Sequence, residues 1–221
     1  MTRLFLAFAI SSFVLVGCGE KVKVVKSYYP TGEIQTVVTM KNGVMDGRFV
    51  LYHPNGNVEI SIDYKEGMVH GQYRKYYYKG VIQECYNYVD GKREGPATIH
   101  DEFGAIAEEF IYVNDTLDGP TIHYFTFGEI AALGNYVKGL KHGTWSFWTA
   151  QGEKSGEATF NMGKGTLYEF YPDGSISAEV HYVDDKKHGI EKHFNKKGNV
   201  MKEITYNYDV EIEVKEYEKL F

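Results

Sequence analysis

Apolar and polar residues alternate along much of the chain with the period of a half-buried β-strand. Between positions 58 and 64, Val58, Ile62 and Tyr64 hold one parity, whereas Glu59 and Asp63 hold the other. Side chains two residues apart point to the same face of an extended strand. One face is therefore apolar and the other polar, as in an antiparallel sheet with one solvated side. No segment after residue 17 shows a helical period, so the pattern predicts strands.

The alternation repeats every 24 residues, and two series of glycines mark the period. The first glycine series is Gly32, Gly56, Gly80, Gly104, Gly128, Gly152, Gly174 and Gly198. The second glycine series is Gly47, Gly71, Gly95, Gly119, Gly143, Gly165 and Gly189. Each series contains one spacing of 22 residues, and it falls in the sixth repeat in both. A shared irregularity indicates that both series belong to one duplicated unit.

Turn-forming pairs close both ends of the unit. Asn55-Gly56 and Asp173-Gly174 lie at one end, and Asn42-Gly43 and Asp90-Gly91 lie at the other. Glycine adopts the positive φ that tight hairpin turns require. Each repeat is therefore predicted to run strand, turn, strand, turn.

Together these features predict an all-β protein. We expect an elongated array of about eight antiparallel β-hairpin repeats of 24 residues, as a single-layer twisted sheet or a β-solenoid-like structure. A lone hairpin is marginal in water, but stacked hairpins pair every interior strand and bury a shared face. Such arrays present long surfaces rather than deep clefts, which favours binding over catalysis.

A recurrent motif carries a family resemblance. The shape aromatic-x-x-(Asn/Asp)-Gly-x-Ile, followed by Tyr-x-x-Gly-x-x-x-Gly, is clearest at 52–71, 124–143 and 170–189. It resembles the MORN-variant repeat family over nearly all of 28–206. The chain lacks the Tyr-x-Gly-x-Trp opening of the standard MORN unit, so membrane binding by the repeats is not implied. What the resemblance implies is a repeat protein, of a kind often assigned as an antitoxin or immunity component.

The N-terminus has the plan of a secretory signal. Arg3 precedes an apolar run from Leu4 to Val16 that is too short to span a bilayer. The run ends in Leu15-Val16-Gly17-Cys18, which resembles the lipobox of bacterial lipoproteins. The resemblance implies cleavage after Gly17 and lipid on Cys18. The alternative is an ordinary cleaved signal that leaves Cys18 free.

Four segments follow from these patterns. Residues 1–17 are the signal peptide, and 18–27 are the lipid-anchor segment with a lysine-bearing N-terminal edge strand. The hairpin repeats occupy 28–206, and a C-terminal capping strand with an acidic tail occupies 207–221. The expected location is the cell envelope: the outer membrane where the cell has one, otherwise the outer face of the cytoplasmic membrane.

Charge and cysteine content narrow the function further. The formal net charge is −6 at pH 7, which disfavours nucleic acid because phosphate contacts require a basic face. With Cys18 acylated, Cys85 is the single remaining cysteine, so no intramolecular disulfide is expected. The hairpins must therefore be held by packing and hydrogen bonds.

No catalytic residues, cofactor or metal site are predicted. Motifs for a nucleophile elbow, a zinc protease or a phosphate loop are missing from the sequence. His70, His142 and His188 precede second-series glycines, so they recur because the turn recurs. No recognisable ligand spacing accompanies the histidines. The chain is expected to be non-enzymatic.

The shortened sixth repeat is the candidate binding patch. Trp145, Phe147 and Trp148 lie just before it. Lys154 stands two residues after a first-series glycine, where every other repeat has Ile or Val. A kink beside two tryptophans suits recognition of a partner. The alternative is a simple deletion combined with ordinary packing. The face on which Trp145 lies is left open, because the second strand of the repeat has apolar residues at both odd and even positions.

The functional prediction is a membrane-anchored lipoprotein that acts as a protein-binding repeat scaffold. One version is an immunity- or antitoxin-like component, whose target would be a toxin that acts in the envelope. The alternative is a glycan or cell-wall binding module that uses exposed tyrosine and tryptophan rings.

Overall fold

The computed structural model of the chain describes residues 21–217 and contains only strands and turns in that range. This confirms the predicted all-β fold of antiparallel hairpin repeats. The predicted signal peptide, Cys18 and the last four residues of the chain lie outside the described residues. No helix in the described range has the length and hydrophobicity to cross a bilayer.

The chain divides into two compact units, Met1–Ala105 and Ile106–Phe221. In the first unit the strands are β1 (Val22–Tyr28), β2 (Ile34–Lys41), β3 (Val44–Tyr52), β4 (Val58–Lys65), β5 (Met68–Tyr76), β6 (Ile82–Val89), β7 (Lys92–Arg93) and β8 (Gly95–His100). In the second unit they are β9 (Ile106–Val113), β10 (Thr116–Leu117), β11 (Gly119–Tyr124), β12 (Ile130–Val137), β13 (Leu140–Lys141), β14 (Gly143–Trp148), β15 (Lys154–Asn161), β16 (Lys164–Phe170), β17 (Ile176–Val183), β18 (Lys186–Lys187), β19 (Gly189–Phe194), β20 (Val200–Asn207) and β21 (Val210–Glu216). Within each unit every recorded strand pair is antiparallel.

The first glycine series lies in three-residue hairpin loops. In the first loop the Tyr29 N–H donates to the Glu33 carbonyl at 2.9 Å, and the Gly32 N–H donates to the Tyr29 carbonyl at 2.9 Å. Gly32 has a φ of +101°, which is why glycine recurs there. The same pair of backbone bonds forms at each later member of the series, so these loops share one geometry.

The opposite turns have two residues, and both residues have positive φ, as type I′ hairpins require. Asn42 and Gly43 have φ values of 51° and 89°. Three aspartate-containing turns, Asn114-Asp115, Asp184-Asp185 and Tyr208-Asp209, reach this conformation without glycine. Asn and Asp tolerate the left-handed region best among non-glycine residues, so these pairs replace Asn-Gly.

The second glycine series lies in a bulge that follows the two-residue turn. Around Gly47 three residues oppose the single residue Thr39, and the strand register shifts there. Gly47 has a φ of +110°, and a Cβ at Gly47 would lie 3.0 Å from the Thr39 Cβ. Glycine is therefore required both by the backbone conformation and by the close approach.

The sixth repeat has no such bulge. Strands β15 and β16 pair without a register shift from Gly156–Glu169 to Asn161–Lys164. Gly165, the second-series glycine of this repeat, does not have a positive φ. The two missing residues are those that form the bulge elsewhere, which accounts for the 22-residue spacing.

One face of the second unit buries an aromatic cluster. Trp145, Ala158 and Phe160 are almost fully buried, with half-buried hydrophobic residues packed around them. Burial of a large side chain of this kind contributes roughly 1.5–3 kcal/mol.

In the first unit, Tyr77 donates its hydroxyl proton to the His100 carbonyl, 23 residues ahead, at 2.9 Å. Tyr171 makes the equivalent bond to the Phe194 carbonyl at 2.6 Å in the second unit. Tyrosine hydroxyls at this position therefore join consecutive repeats.

Candidate binding surface

Trp145, proposed as part of a binding patch, is buried in the core. Its side chain is 2% exposed, and its indole N–H donates to the Asn135 carbonyl at 3.2 Å. A Cβ at Gly134 would lie 2.1 Å from the indole, so glycine makes room for the ring. The expectation that Trp145 offers its ring to a partner is therefore corrected: the ring is covered by its own sheet.

A lysine completes the cover of this aromatic cluster. The Lys141 Nζ lies 5.4 Å from the Trp145 ring centroid, 5.5 Å from that of Phe160 and 5.6 Å from that of Tyr182. A cation at this distance from several rings is attracted by their negative faces.

Burial is the leading cause of the raised pKa of the Tyr182 hydroxyl, with the neighbouring Glu191 carboxylate acting in the same direction. The nearby Lys187 ammonium opposes that shift.

The other residues of the predicted patch do not share one surface with Trp145. Phe147 is half-buried and stacks on Trp145 at 6.3 Å, so it belongs to the same packed face. Lys154 is exposed and forms an ion pair with Glu157, whose side chain points away from the buried Ala158 beside it. Trp148 pairs with Lys154 across the strands and is half-buried. The patch is thus divided between the two faces of the sheet.

The face opposite the aromatic cluster carries an open depression of about 560 Å³. Its polar lining comes from the two strands that pair without a bulge: Glu157, Thr159, Asn161, Lys164, Thr166 and Tyr168. We call this surface the repeat-six depression. Without the bulge, these side chains stand in regular cross-strand rows on one face.

A row of hydroxyl groups crosses the repeat-six depression. Thr144, Thr159 and Thr166 are successive cross-strand partners, and Thr166 is opposite His181 in β17. The Thr166 Oγ1 lies 3.0 Å from the His181 Nδ1. Thr144 and Thr159 are exposed. This row was not predicted from the sequence; the 22-residue spacing was its signal, and that spacing was interpreted as a kink beside the tryptophans instead.

Two of the three recurrent histidines, His70 and His142, have a structural role, whereas the His188 Nδ1 is buried without a hydrogen-bond partner among the described residues. The His142 Nδ1 accepts the Met162 backbone N–H at 3.4 Å, and the His70 Nδ1 accepts that of Asp90 at 3.3 Å. In the first repeat the Asp46 carboxylate takes the place of the histidine and accepts the Glu66 backbone N–H at 3.2 Å. These side chains anchor the two-residue turn of the next repeat. Residues 21–217 contain no group of three metal-ligating side chains.

Comparison with known proteins supports the repeat type. The model of the MORN repeat variant matches residues 21–42, 45–66, 164–184 and 187–208. Each matched segment covers one hairpin and ends at the first residue of the following two-residue turn. The segment between residues 66 and 164 folds into hairpins of the same kind, although the family model does not match it. No curated protein matches the chain.

Two solved structures illustrate how distant the similar structures are. One is a Photorhabdus luminescens Tc holotoxin pore, 10% identical with a TM-score of 0.23 over 84% of this chain. The chain spans 12% of the length of that toxin chain. The other is a porin-like protein from Bacteroides uniformis, 9% identical with a TM-score of 0.25, and the match covers 91% of this chain and 90% of that one.

Proposed function

We propose that this protein is a non-enzymatic repeat scaffold that is anchored in the cell envelope by lipid on Cys18 and binds another protein. The repeat-six depression is the observation that carries the proposal, because it is a regular polar surface on the face opposite the packed core. Polar and hydroxyl side chains on a rigid sheet suit a partner that is recognised by hydrogen bonds.

An immunity role is one form of this function. Lipidation would hold the scaffold where a toxin that acts in the envelope arrives, and two or more acyl chains would make the attachment nearly permanent. Cells that express the protein should then survive a neighbour's toxin better than cells that lack it. Replacing Cys18 with Ser should release the protein from the membrane fraction and abolish that protection.

The binding surface is tested by a matched pair of arginine substitutions in the full chain. Thr159→Arg places a large cation in the repeat-six depression, whereas Gln72→Arg places one at an exposed position of β5. Affinity purification from cross-linked envelopes should recover a partner with the wild-type protein and Gln72→Arg, but not with Thr159→Arg. Equal recovery with all three proteins would contradict this location.

Glycan binding is a second candidate, and Tyr168 favours it. The Tyr168 side chain is 39% exposed and lines the depression beside hydroxyl and amide side chains. An accessible ring flanked by hydrogen-bonding groups can pack on a sugar while its hydroxyl stays solvated. Sedimentation with purified cell wall should then be lost in Tyr168→Ala and kept in Tyr28→Ala, whose ring is 42% exposed elsewhere.

A further inference from the structure

The first and last described strands of the chain leave apolar side chains open to solvent. In β21, Val210, Ile212 and Val214 are 64%, 63% and 41% exposed. In β1, Val22 and Val24 are 61% and 48% exposed. All five are β-branched, the residue type that packs best on a paired strand. Among the described residues β1 pairs only with β2, and β21 only with β20. Each strand therefore has an edge of unpaired backbone groups within that range.

The two edges carry charges of opposite sign. Lys21, Lys23 and Lys26 lie in or beside β1, and this segment contains no acidic residue. Strand β21 contains three glutamates and one lysine: Glu211, Glu213, Lys215 and Glu216. The single lysine of β21 pairs with Glu213 at 3.1 Å, which leaves the strand with an acidic surplus.

The signs of these charges distinguish two roles. Charges that only prevent edge pairing work best with the same sign at both ends, because every combination of edges then repels. Opposite signs repel in the pairs β1–β1 and β21–β21 but attract in the pair β1–β21. The charge pattern therefore blocks two-fold pairing of identical edges and permits pairing of unlike edges.

We propose that copies of this chain associate head to tail, with β21 of one copy adding to the open edge of β1 in the next. Backbone hydrogen bonds would join the two edges, and the exposed valines and Ile212 would be covered at the junction. Lysines of one copy would face glutamates of its neighbour. Because the two contacting surfaces differ and each copy carries one of each, the contact can continue from copy to copy into rings or chains. This proposal is independent of the partner-binding function.

Cross-linking in cells tests the proposal with the full chain. Val24→Cys and Ile212→Cys are combined in a Cys85→Ser background, and a short bismaleimide is added. We expect a ladder of dimers, trimers and larger species. Each variant with only one of the two introduced cysteines (a single-cysteine variant, apart from Cys18) should yield about tenfold less dimer or none, because identical edges repel.

Charge reversal provides the second arm of the test. Replacing Lys21, Lys23 and Lys26 with Glu makes both edges acidic, and replacing Glu211, Glu213 and Glu216 with Lys makes both basic. Each variant alone should lose the ladder, and co-expression of the two should restore it. Lack of a ladder in the double-cysteine protein would overturn the proposal and assign the edge charges to protection alone. Efficient dimers from either single-cysteine variant would overturn it in favour of two-fold pairing.

Discussion

At the scale of single residues, the placement of Trp145 decides how the sixth repeat is interpreted. The sequence predicted an aromatic recognition patch there, but alternation alone did not assign Trp145 to a face. Its strand is apolar on both parities, and a bulge in the preceding connection shifts the register. The signal that identifies the buried face is Gly134, which lies opposite the ring and leaves space for it.

Truncation of Trp145 should therefore act on stability. We expect Trp145→Ala to lower the free energy of unfolding by about 3–5 kcal/mol, because a large buried ring is lost and a cavity remains. Trp145→Phe should recover part of the loss by refilling the space. Urea denaturation monitored by circular dichroism measures both changes. A loss below about 1 kcal/mol for Trp145→Ala would show that the ring is not packed as described.

The buried tyrosine hydroxyls predict a loss of stability in alkali. Burial raises the pKa of Tyr182 above its ordinary value of 10.0, so the folded state holds that proton more tightly than the unfolded state. The associated stability is fully present below pH 10 and is lost as the pH rises through the folded-state pKa. Tyr182→Phe should make the free energy of unfolding less sensitive to pH between about 9 and 11.

At the scale of elements, the glycine series predicted the hairpins and most of their turns. The turns Asn114-Asp115 and Asp184-Asp185 were not identified, because left-handed Asn and Asp replace the glycine that marks the other turns. The bulge was not predicted either. Its glycine was noted, but only the structure shows that it avoids the residue on the opposite strand.

The bulge glycine Gly119 should tolerate substitution less well than the loop glycine Gly128. Gly119 and Gly128 both have positive φ, at 130° and 92°, so alanine strains the backbone at either position. A Cβ at Gly119 would lie 2.9 Å from the Ile111 Cβ, whereas nothing lies within 4 Å of one at Gly128. Gly128→Ala should cost about 1–2 kcal/mol, and Gly119→Ala should cost more. Thermal unfolding of the two variants measures the difference, and equal losses would contradict the steric role of Gly119.

At the scale of the whole molecule, the repeat type and the absence of a helical period were readable from the sequence, but the binding surface was not. Its position depends on a deletion whose consequence is geometric: loss of the bulge aligns Thr144, Thr159 and Thr166 in one cross-strand row. A 22-residue spacing locates the deletion, yet it does not say which element was lost. Lipid anchoring is proposed from the sequence, and protein binding is proposed from the repeat-six depression.

The most direct test of the proposed function restores the bulge. Insertion of Lys-His between Lys164 and Gly165 gives the sixth repeat the same Lys-His-Gly order as residues 141–143. We expect this variant to keep its strand content and melting temperature, because six other hairpins of the described range contain the bulge, but no longer to capture the partner in affinity purification. Capture at the wild-type level by a folded, bulge-restored protein would contradict the assignment of function to the repeat-six depression.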